Sequence, residues 1–273
     1  MTDPLLIQYL DWLHDCRRRP RTIEGRRAVL TRMDSELPYG LPLATTDELK
    51  AWIYRDEFCR NTLATYYGAA RAFFVWATNP ADPHLDFDPS ALLPQVTHAR
   101  GLPRPVTDDQ LTHVLTHAAE PYRTWSLLAA YGGLRCCEIA DLHREHVTAE
   151  ELTIVDGKGG KPGVVPTHEL VWQAVADLPP GPIAWTDKGT PASATYVSLT
   201  YALYLRRQLH MPGVGLHRLR HWYGTTVYQQ TRDIRRTQEL LRHSSLTSTQ
   251  VYTLVTDEER QAAIQALPNL TGA

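Results

Sequence analysis

Six prolines lie between residues 79 and 105, and they constrain the fold more than any other feature of the chain. Proline lacks a backbone N–H and fixes φ, so a segment this rich in proline cannot continue a helix or enter the interior of a sheet. A chain of 273 residues is also long enough for two domains. The sequence therefore predicts a domain at 1–95, a linker at 96–105 and a second domain at 106–273.

The first domain is predicted to be entirely helical. Apolar residues recur at helical spacing through residues 1–78, and no strand-like alternation interrupts them. The pattern predicts four helices. The second begins after Pro20, the third follows a cap at Thr46, and the fourth runs from about Asn61 to Thr78.

The second domain is predicted to be mixed, with helices around one small β-sheet. Thr107 is a good N-cap for its first helix, and Glu151 to Pro166 alternates around a glycine-rich turn as a β-hairpin does. Further helices are predicted at 167–177, 192–209, 216–230, 233–241, 247–254 and 257–267. The expected fold class is mainly α with a small β-sheet.

Composition indicates a folded protein without a membrane segment. Hydrophobic residues make up 43% and charged residues 21% of the chain, as in ordinary globular proteins. The longest apolar run, Trp125 to Tyr131, is far too short to cross a bilayer. These features predict a cytoplasmic protein.

The four cysteines do not suggest a disulfide framework or a metal site. Cys136 and Cys137 are adjacent, which suits neither a normal disulfide nor a CxxC metal ligand pair. Together with Cys16 and Cys59 they are expected to be small buried hydrophobic residues.

Basic residues are concentrated in two blocks, although the net charge is −2. Six arginines lie in residues 17–27 and eight in residues 206–242. Such blocks are typical of a surface that binds DNA phosphates, and a merely solvated arginine face is the alternative. The arginines predicted to contact DNA are Arg17, Arg18, Arg19, Arg21, Arg26, Arg27, Arg60, Arg71, Arg218 and Arg242.

A separate set of residues is suited to attack on a phosphodiester. The set consists of Arg135 in GLRCCEI, Lys158 in GKGGKPG, His217 and Arg220 in HRLRH, and His243 and Tyr252 in LLRHSSLTSTQVY. Arginine forks stabilise the negative charge that develops on nonbridging oxygens. A tyrosine hydroxyl attacks only when a base and nearby cations activate it.

Several of these residues also have plainer interpretations. Taken alone, Arg135 would form a buried structural pair with Glu138, and Lys158 would be a solvated turn residue. Lys161 competes with Lys158 for the same role. His217 and His221 have the spacing of a helical zinc pair, but no HExxH glutamate lies between them and the flanking charge is positive, so no metal is predicted.

In order and context the motifs resemble those of the tyrosine recombinases, the phage-integrase family. The string LLRHSSLTSTQVYTLV closely matches the family's usual LLGHSSxxTTQxYxHV. Arg242 stands where glycine is common, and Leu254 where histidine is common. Neither difference removes a catalytic group, although Arg242 changes the backbone freedom next to His243.

The resemblance implies a site and a reaction. Tyr252 would form a 3′-phosphotyrosyl link, with His217 as proton acceptor and Lys158 as the acid that protonates the departing 5′ oxygen. Arg135, Arg220 and His243 would stabilise the phosphoryl charge. No cofactor or metal would be required.

The resemblance also implies an assembly. A four-helix core-site-binding domain and a catalytic domain would form a C-shaped clamp on double-stranded DNA core sites. The chain would be compact, without an arm-site-binding domain. It would assemble into a tetramer on DNA, and an accessory or directionality factor would be a further partner.

The expected role is phage integration and excision, and three alternatives stay open. Xer-type resolution of chromosome or plasmid dimers would use the same chemistry. A type IB topoisomerase would share the nucleophile, but His217 in the HxxR motif favours a recombinase. A catalytically silent DNA-binding protein is the alternative outside enzymes.

Overall fold

The computed structural model describes residues 3–99, 103–155 and 162–242. The chain divides into two compact units, Met1–Gly101 and Leu102–Ala273. As predicted, the described residues are mainly helical, with one two-stranded sheet. No helix among them is long and apolar enough to span a lipid bilayer.

The first unit contains the four predicted helices. They are α1 (Pro4–Asp15), α2 (Pro20–Glu36), α3 (Thr46–Ile53) and α4 (Arg60–Ala77). Proline at the first position of α1 and α2 is favourable because the missing N–H would have no partner there. The cap of α3 is Thr45 rather than Thr46, because Thr45 and Glu48 form a reciprocal capping box.

The core of the first unit is formed by the apolar faces of these helices. Its buried side chains include Leu6, Tyr9, Leu30, Met33, Leu49, Ile53, Phe73 and Phe74. Arg26 fixes α2 on α4, because its Nη1 donates to the carbonyl oxygen of Gly68 at 2.9 Å. Helices α2 and α4 are thus joined by a charge-assisted hydrogen bond as well as by apolar contact.

Part of the proline-rich segment is bound to the first unit. Asp88 accepts from Arg71 of α4 at 2.7 Å, and the carbonyl of Pro89 accepts from the hydroxyl of Thr46 at 2.9 Å. Ser90 and Leu93 are buried. These contacts fix residues 88–93, which form neither a helix nor a strand.

The second unit contains the other helices and the sheet. They are α5 (Asp108–His117), α6 (Tyr122–Ala130), α7 (Cys136–Ala140), β1 (Glu151–Ile154), β2 (Gly163–Pro166), α8 (Glu169–Val175), α9 (Ala194–Gln208), α10 (Leu216–Thr231) and α11 (Ile234–Leu240). Thr107 caps α5 as predicted. The helices predicted at 247–254 and 257–267 lie outside the described residues.

The predicted β-hairpin is confirmed by the pairing of its strands. β1 and β2 are antiparallel, with Glu151 opposite Pro166 and Ile154 opposite Gly163. Leu152 and Ile154 turn into the core while Glu151 is exposed, which is the alternation expected of a sheet with one buried face. Residues 156–161, which include Lys158, connect the two strands in the sequence and lie outside the described residues.

Helix α6 lies at the centre of the second unit. Its residues from Thr124 to Ala130 are all buried, and it contacts α5, α7, α8 and α10. A helix buried on all sides is a rigid support for the segment that continues from its end. That segment is the loop that leads to Arg135.

The prediction that the cysteines are buried is wrong. Cys16 and Cys59 are exposed, and Cys136 and Cys137 are partly exposed. Cys16 caps the end of α1 and Cys59 the start of α4, and helix termini lie at the surface where water can satisfy the free backbone groups.

Candidate active site

The loop between α6 and α7 is shaped by two glycines and leads to Arg135. A Cβ at Gly132 would stand 2.8 Å from the carbonyl oxygen of Leu128. Gly133 has φ +60°, and a Cβ there would stand 2.7 Å from the ring of Tyr223 on α10. Only glycine fits such a left-handed, crowded position without strain. The close approach brings the loop before α7 against α10.

Glu138 holds Arg135 through two contacts. Its Oε2 accepts the backbone N–H of Arg135 at 2.9 Å, and its Oε1 accepts from Nη1 of Arg135 at 2.5 Å. The Glu138 side chain is completely buried, whereas Arg135 keeps 19% of its side-chain surface exposed. The structural Arg–Glu pair is therefore present, and it leaves Arg135 reachable.

Arg220, on α10, joins the same carboxylate from the other side. Its Nη1 lies 3.5 Å from Oε2 of Glu138 and also donates to the carbonyl of Gly133. Its Nη2 donates to the carbonyl of Leu241 at 2.5 Å. With 1% of its surface exposed, Arg220 is fixed by the loop before α7 and by the end of α11.

Arg242 is a third cation in this cluster, and its backbone is left-handed, with φ +52°. Its Nη2 donates to Glu138 at 2.9 Å and to the carbonyl of Gly133 at 3.0 Å, and its Nη1 donates to the carbonyl of Leu240 at 3.1 Å. A non-glycine residue in this region carries a strain of about 1 kcal/mol or more. The ion pair with Glu138 offsets that strain.

The electrostatics of the cluster keep Glu138 ionised. Burial would raise the pKa of Glu138, but Arg242, Arg220 and Arg135 outweigh burial and hold that pKa below its ordinary value. Three guanidinium groups share one carboxylate, so the cluster keeps an excess of positive charge. Such an excess suits an anionic group such as a phosphodiester.

His217 lies near the two predicted catalytic arginines. Desolvation, followed by the positive charges of Arg220 and Arg135, lowers the pKa of His217. Its ring contacts that of His221 edge to face, with centroids 4.3 Å apart. Desolvation, His217 and Arg220 lower the pKa of His221 to about 4. Both rings are therefore neutral near pH 7, and a neutral imidazole can accept a proton.

The structure brings three of the six predicted catalytic residues together. Arg135 and Arg220 contact Glu138, which belongs to the same GLRCCEI motif as Arg135, and His217 interacts with both arginines. The predictions for Lys158 and its competitor Lys161, and for His243 and Tyr252, lie outside the described residues.

The arginines predicted to contact DNA fall into two groups. Arg17, Arg18, Arg19, Arg21 and Arg27 are exposed on the first unit. For the other five, of which Arg60 is also exposed, the structure gives these side-chain hydrogen bonds: Arg26 to Gly68, Arg60 to Thr97, Arg71 to Asp88, Arg218 to Arg104 and Pro105, and Arg242 to Glu138. DNA contact stays a prediction for both groups.

The ion pair between Glu138 and Arg242 was not predicted from the sequence. The sequence pairs Glu138 with Arg135 alone, and it predicts Arg242 as a DNA contact. In the structure, the Arg242 side chain is only 11% exposed and donates to Glu138 from 104 residues further along the chain. The only sequence signal was an arginine at a position where glycine is common.

The fold is that of the tyrosine recombinases. This chain is similar to the structure of a lambda integrase dimer bound to a COC′ core site, with a TM-score of 0.75. The match covers 91% of this chain and 75% of the lambda integrase chain. The identity is 18%, so this likeness speaks for a shared fold.

Sequence comparison identifies the family. The profile of the Phage integrase family matches residues 105–259. Tyrosine recombinase XerC of Nitrobacter winogradskyi is 38% identical over 144 residues, which are 48% of this chain and 44% of that protein. XerC of Mycobacterium sp. (strain KMS) is 30% identical over 245 residues, or 78% of this chain and 79% of that protein. The chain belongs to the phage integrase family. Its match spans less than half the length of its Nitrobacter relative.

Proposed function

We propose that this chain is a site-specific recombinase that cuts and rejoins double-stranded DNA through a covalent bond to Tyr252. The observation that carries the proposal is the placement of Arg135 and Arg220 on one buried carboxylate, Glu138. Two arginines held in this way are oriented before the substrate arrives. Preorganised donors of this kind are the largest contribution that a protein makes to phosphoryl transfer without a metal.

The proposed reaction exchanges one phosphodiester bond for another. The hydroxyl oxygen of Tyr252 attacks phosphorus, and its proton passes to His217. The bond from phosphorus to the 5′ oxygen breaks, and Lys158 gives that oxygen a proton. The 5′-hydroxyl of a partner strand then attacks the 3′-phosphotyrosyl group and releases Tyr252. Bond energy is conserved throughout, so neither a nucleotide nor a redox cofactor is consumed.

The substrate proposed for this chemistry is a double-stranded DNA core site. The excess positive charge around Glu138 and the exposed arginines of the first unit support a polyanionic partner. The lambda integrase with the same fold was solved on a core site. Strand exchange joins two duplexes and cuts four strands, so a tetramer is the proposed active assembly.

Integration and excision of phage DNA is the proposed biological role, and dimer resolution is the second candidate. Relatives named XerC and XerA favour the second candidate. An attachment site and prophage genes beside the coding sequence would support integration. A chromosomal site at which the purified protein resolves plasmid dimers would support resolution instead.

Covalent trapping on DNA tests the proposed chemistry. The wild type should give a denaturant-resistant protein–DNA band on a core-site duplex with a nick near the cleaved bond, both with and without EDTA. Tyr252→Phe should bind the same duplex with unchanged affinity but give no such band, because only the nucleophilic oxygen is lost. Tyr228→Phe is a matched control in α10 and should form the band.

Three outcomes would overturn the proposal. A covalent band from Tyr252→Phe would mean that another residue is the nucleophile. Binding by the wild type without any band would identify a silent DNA-binding protein. Relaxation of supercoiled DNA without strand exchange between two sites would instead indicate a topoisomerase.

A further inference from the structure

Arg242 contacts three parts of the second unit that are far apart in the sequence. Its stem lies against β2, where a Cβ at Gly163 would stand 2.7 Å from Cδ of Arg242. Its guanidinium group reaches Gly133, in the loop before α7, and Glu138 on α7. It also donates back to Leu240 at the end of α11. One side chain thus connects the hairpin, the arginine cluster and the last described helix.

Two of these contacts are shared with Arg220. Gly133 offers one carbonyl oxygen, and both Arg220 and Arg242 donate to it. Glu138 offers one Oε2 atom, which lies 2.9 Å from Arg242 and 3.5 Å from Arg220. The orientation of Arg220 is therefore linked to the presence of the Arg242 guanidinium group. Arg135 is linked to it through the same carboxylate.

We propose that Arg242 is a positioning residue. It fastens β2 and the end of α11 to the Gly133–Glu138 segment, and thereby holds Arg135 and Arg220 in place for the phosphodiester. The inference rests on the proposed function for its catalytic consequence. The fastening itself is a property of the folded chain and can be measured without DNA.

The backbone conformation at residue 242 favours glycine, so the arginine found there needs a structural reason. With φ +52°, residue 242 has a conformation that glycine adopts without strain and arginine does not. Glycine would satisfy the backbone but leave Glu138 without one of its cations and leave the space beside Gly163 unfilled. The strained conformation is thus explained by what the side chain reaches.

Arg242→Gly is the central variant, because it relieves the backbone and removes only the side chain. Single-turnover cleavage at saturating protein should fall roughly 10- to 100-fold, as expected when catalytic groups lose their orientation. Saturating protein separates this loss of rate from any change in core-site affinity. Millimolar guanidinium chloride should restore part of the rate by occupying the emptied place beside Glu138, while sodium chloride at equal ionic strength should not.

Arg232→Gly is the matched control. Arg232 also has a left-handed backbone, with φ +50°, but it is exposed at the end of α10. Its replacement should leave the cleavage rate within about twofold of the wild type, because exposed substitutions away from buried clusters have small effects. Guanidinium should have no effect on this variant.

Gly163→Ala tests the same contact from the other side. Its new Cβ would displace the Arg242 stem, so the single variant should also cleave more slowly than the wild type. In the double variant with Arg242→Gly the stem is gone, so Gly163→Ala should add no further loss. Independent effects that multiply would contradict the proposed contact.

A thermal unfolding measurement without DNA separates the positioning role of Arg242 from the proposed recombinase activity. Millimolar guanidinium should raise the Tm of Arg242→Gly relative to sodium chloride, since a ligand of the native state stabilises it. It should not raise the Tm of the wild type or of Arg232→Gly. Three results would each overturn the positioning role of Arg242. They are a Tm of Arg242→Gly that guanidinium does not raise, a wild-type cleavage rate in Arg242→Gly, and a slow cleavage rate that guanidinium does not restore. A raised Tm with no covalent band from the wild type would refute the proposed function and leave the fastening intact.

Discussion

Glu138 holds Arg135 by its backbone and by its side chain at the same time, with 2.9 Å to the Arg135 N–H and 2.5 Å to Nη1. Since one carboxylate makes both contacts, it ties the Arg135 side chain to the start of α7. The carboxylate belongs to the motif GLRCCEI, three residues after the arginine that it orients. The pairing of Arg135 with Glu138 that the motif predicts is thus the pairing that the structure contains.

Glu138→Gln should destabilise the second unit by about 3 kcal/mol, because it leaves three guanidinium groups around a buried neutral amide. The free energy of unfolding in urea measures this loss. Glu150→Gln, on the exposed turn before β1, is the control and should change that free energy by less than about 0.5 kcal/mol. Equal effects of the two replacements would mean that the buried cluster is not a source of stability.

Gly133→Ala should lower the free energy of unfolding by about 2 kcal/mol or more, because φ is +60° and the new Cβ meets the Tyr223 ring at 2.7 Å. It should also slow DNA cleavage, since the same loop leads to Arg135. Gly215→Ser is the control in the same unit. Gly215 has an ordinary negative φ and no atom within 4 Å of a new Cβ, and serine is a good N-cap. If alanine at 133 is tolerated as well as serine at 215, the close approach is not required.

The stability of the second unit should fall as the pH drops from about 6.5 towards 4. The pKa of His221 is lowered from 6.5 to about 4 in the folded chain, so the unfolded chain takes up a proton first and is favoured across that window. His217 acts in the same direction, and Glu138 adds its own loss only below its ordinary pKa. Urea unfolding at pH 7 and at pH 5 should show a smaller difference for His221→Gln than for the wild type. A difference of unchanged size would assign the pH dependence to other groups.

Arg26 and Arg27 are neighbours in α2 with different expected effects on DNA binding. Arg27 is exposed, so Arg27→Ala should weaken DNA binding and reduce the slope of log K against log salt by about 0.9, as for one lost phosphate contact. Arg26 donates to the Gly68 carbonyl at 2.9 Å, so Arg26→Ala should mainly lower the stability of the first unit. A loss of salt dependence in Arg26→Ala alone would reverse the two assignments.

Lys158 is predicted to be the general acid, and a sulfur substrate tests it. Lys158→Ala should slow cleavage of normal DNA by about 10²–10⁴-fold. It should recover on DNA whose bridging 5′ oxygen is replaced by sulfur, because thiolate needs no proton to depart. Arg135→Ala should not recover, since its task is charge stabilisation. Selective recovery of Lys161→Ala would instead assign the role of general acid to Lys161, three residues after Lys158.

The sequence by itself predicted most of the described helices and supplied the motifs from which the site residues were predicted. Proline at 20 and the caps at Thr45 and Thr107 are local signals, so the starts of the helices that follow them could be predicted to within a residue. The helices predicted to begin at 167 and 192 begin two residues later, at Glu169 and Ala194. The alternation from Glu151 to Pro166 predicted the hairpin for the same reason. Arg135, His217 and Arg220 were identified by motif, since their neighbours along the chain are distinctive.

Only the tertiary structure decided which of these residues meet. Arg242 and Glu138 are 104 positions apart, yet their side chains form an ion pair of 2.9 Å. A pattern of apolar residues records which face of a helix is buried, but it does not record which charged groups from other elements share the space. The same limit applies to Arg26 and Arg218, which look like solvated cations in the sequence and donate to carbonyl groups in the fold. A backbone carbonyl has no sequence signal, because every residue has one, and only packing decides which of them an arginine can reach.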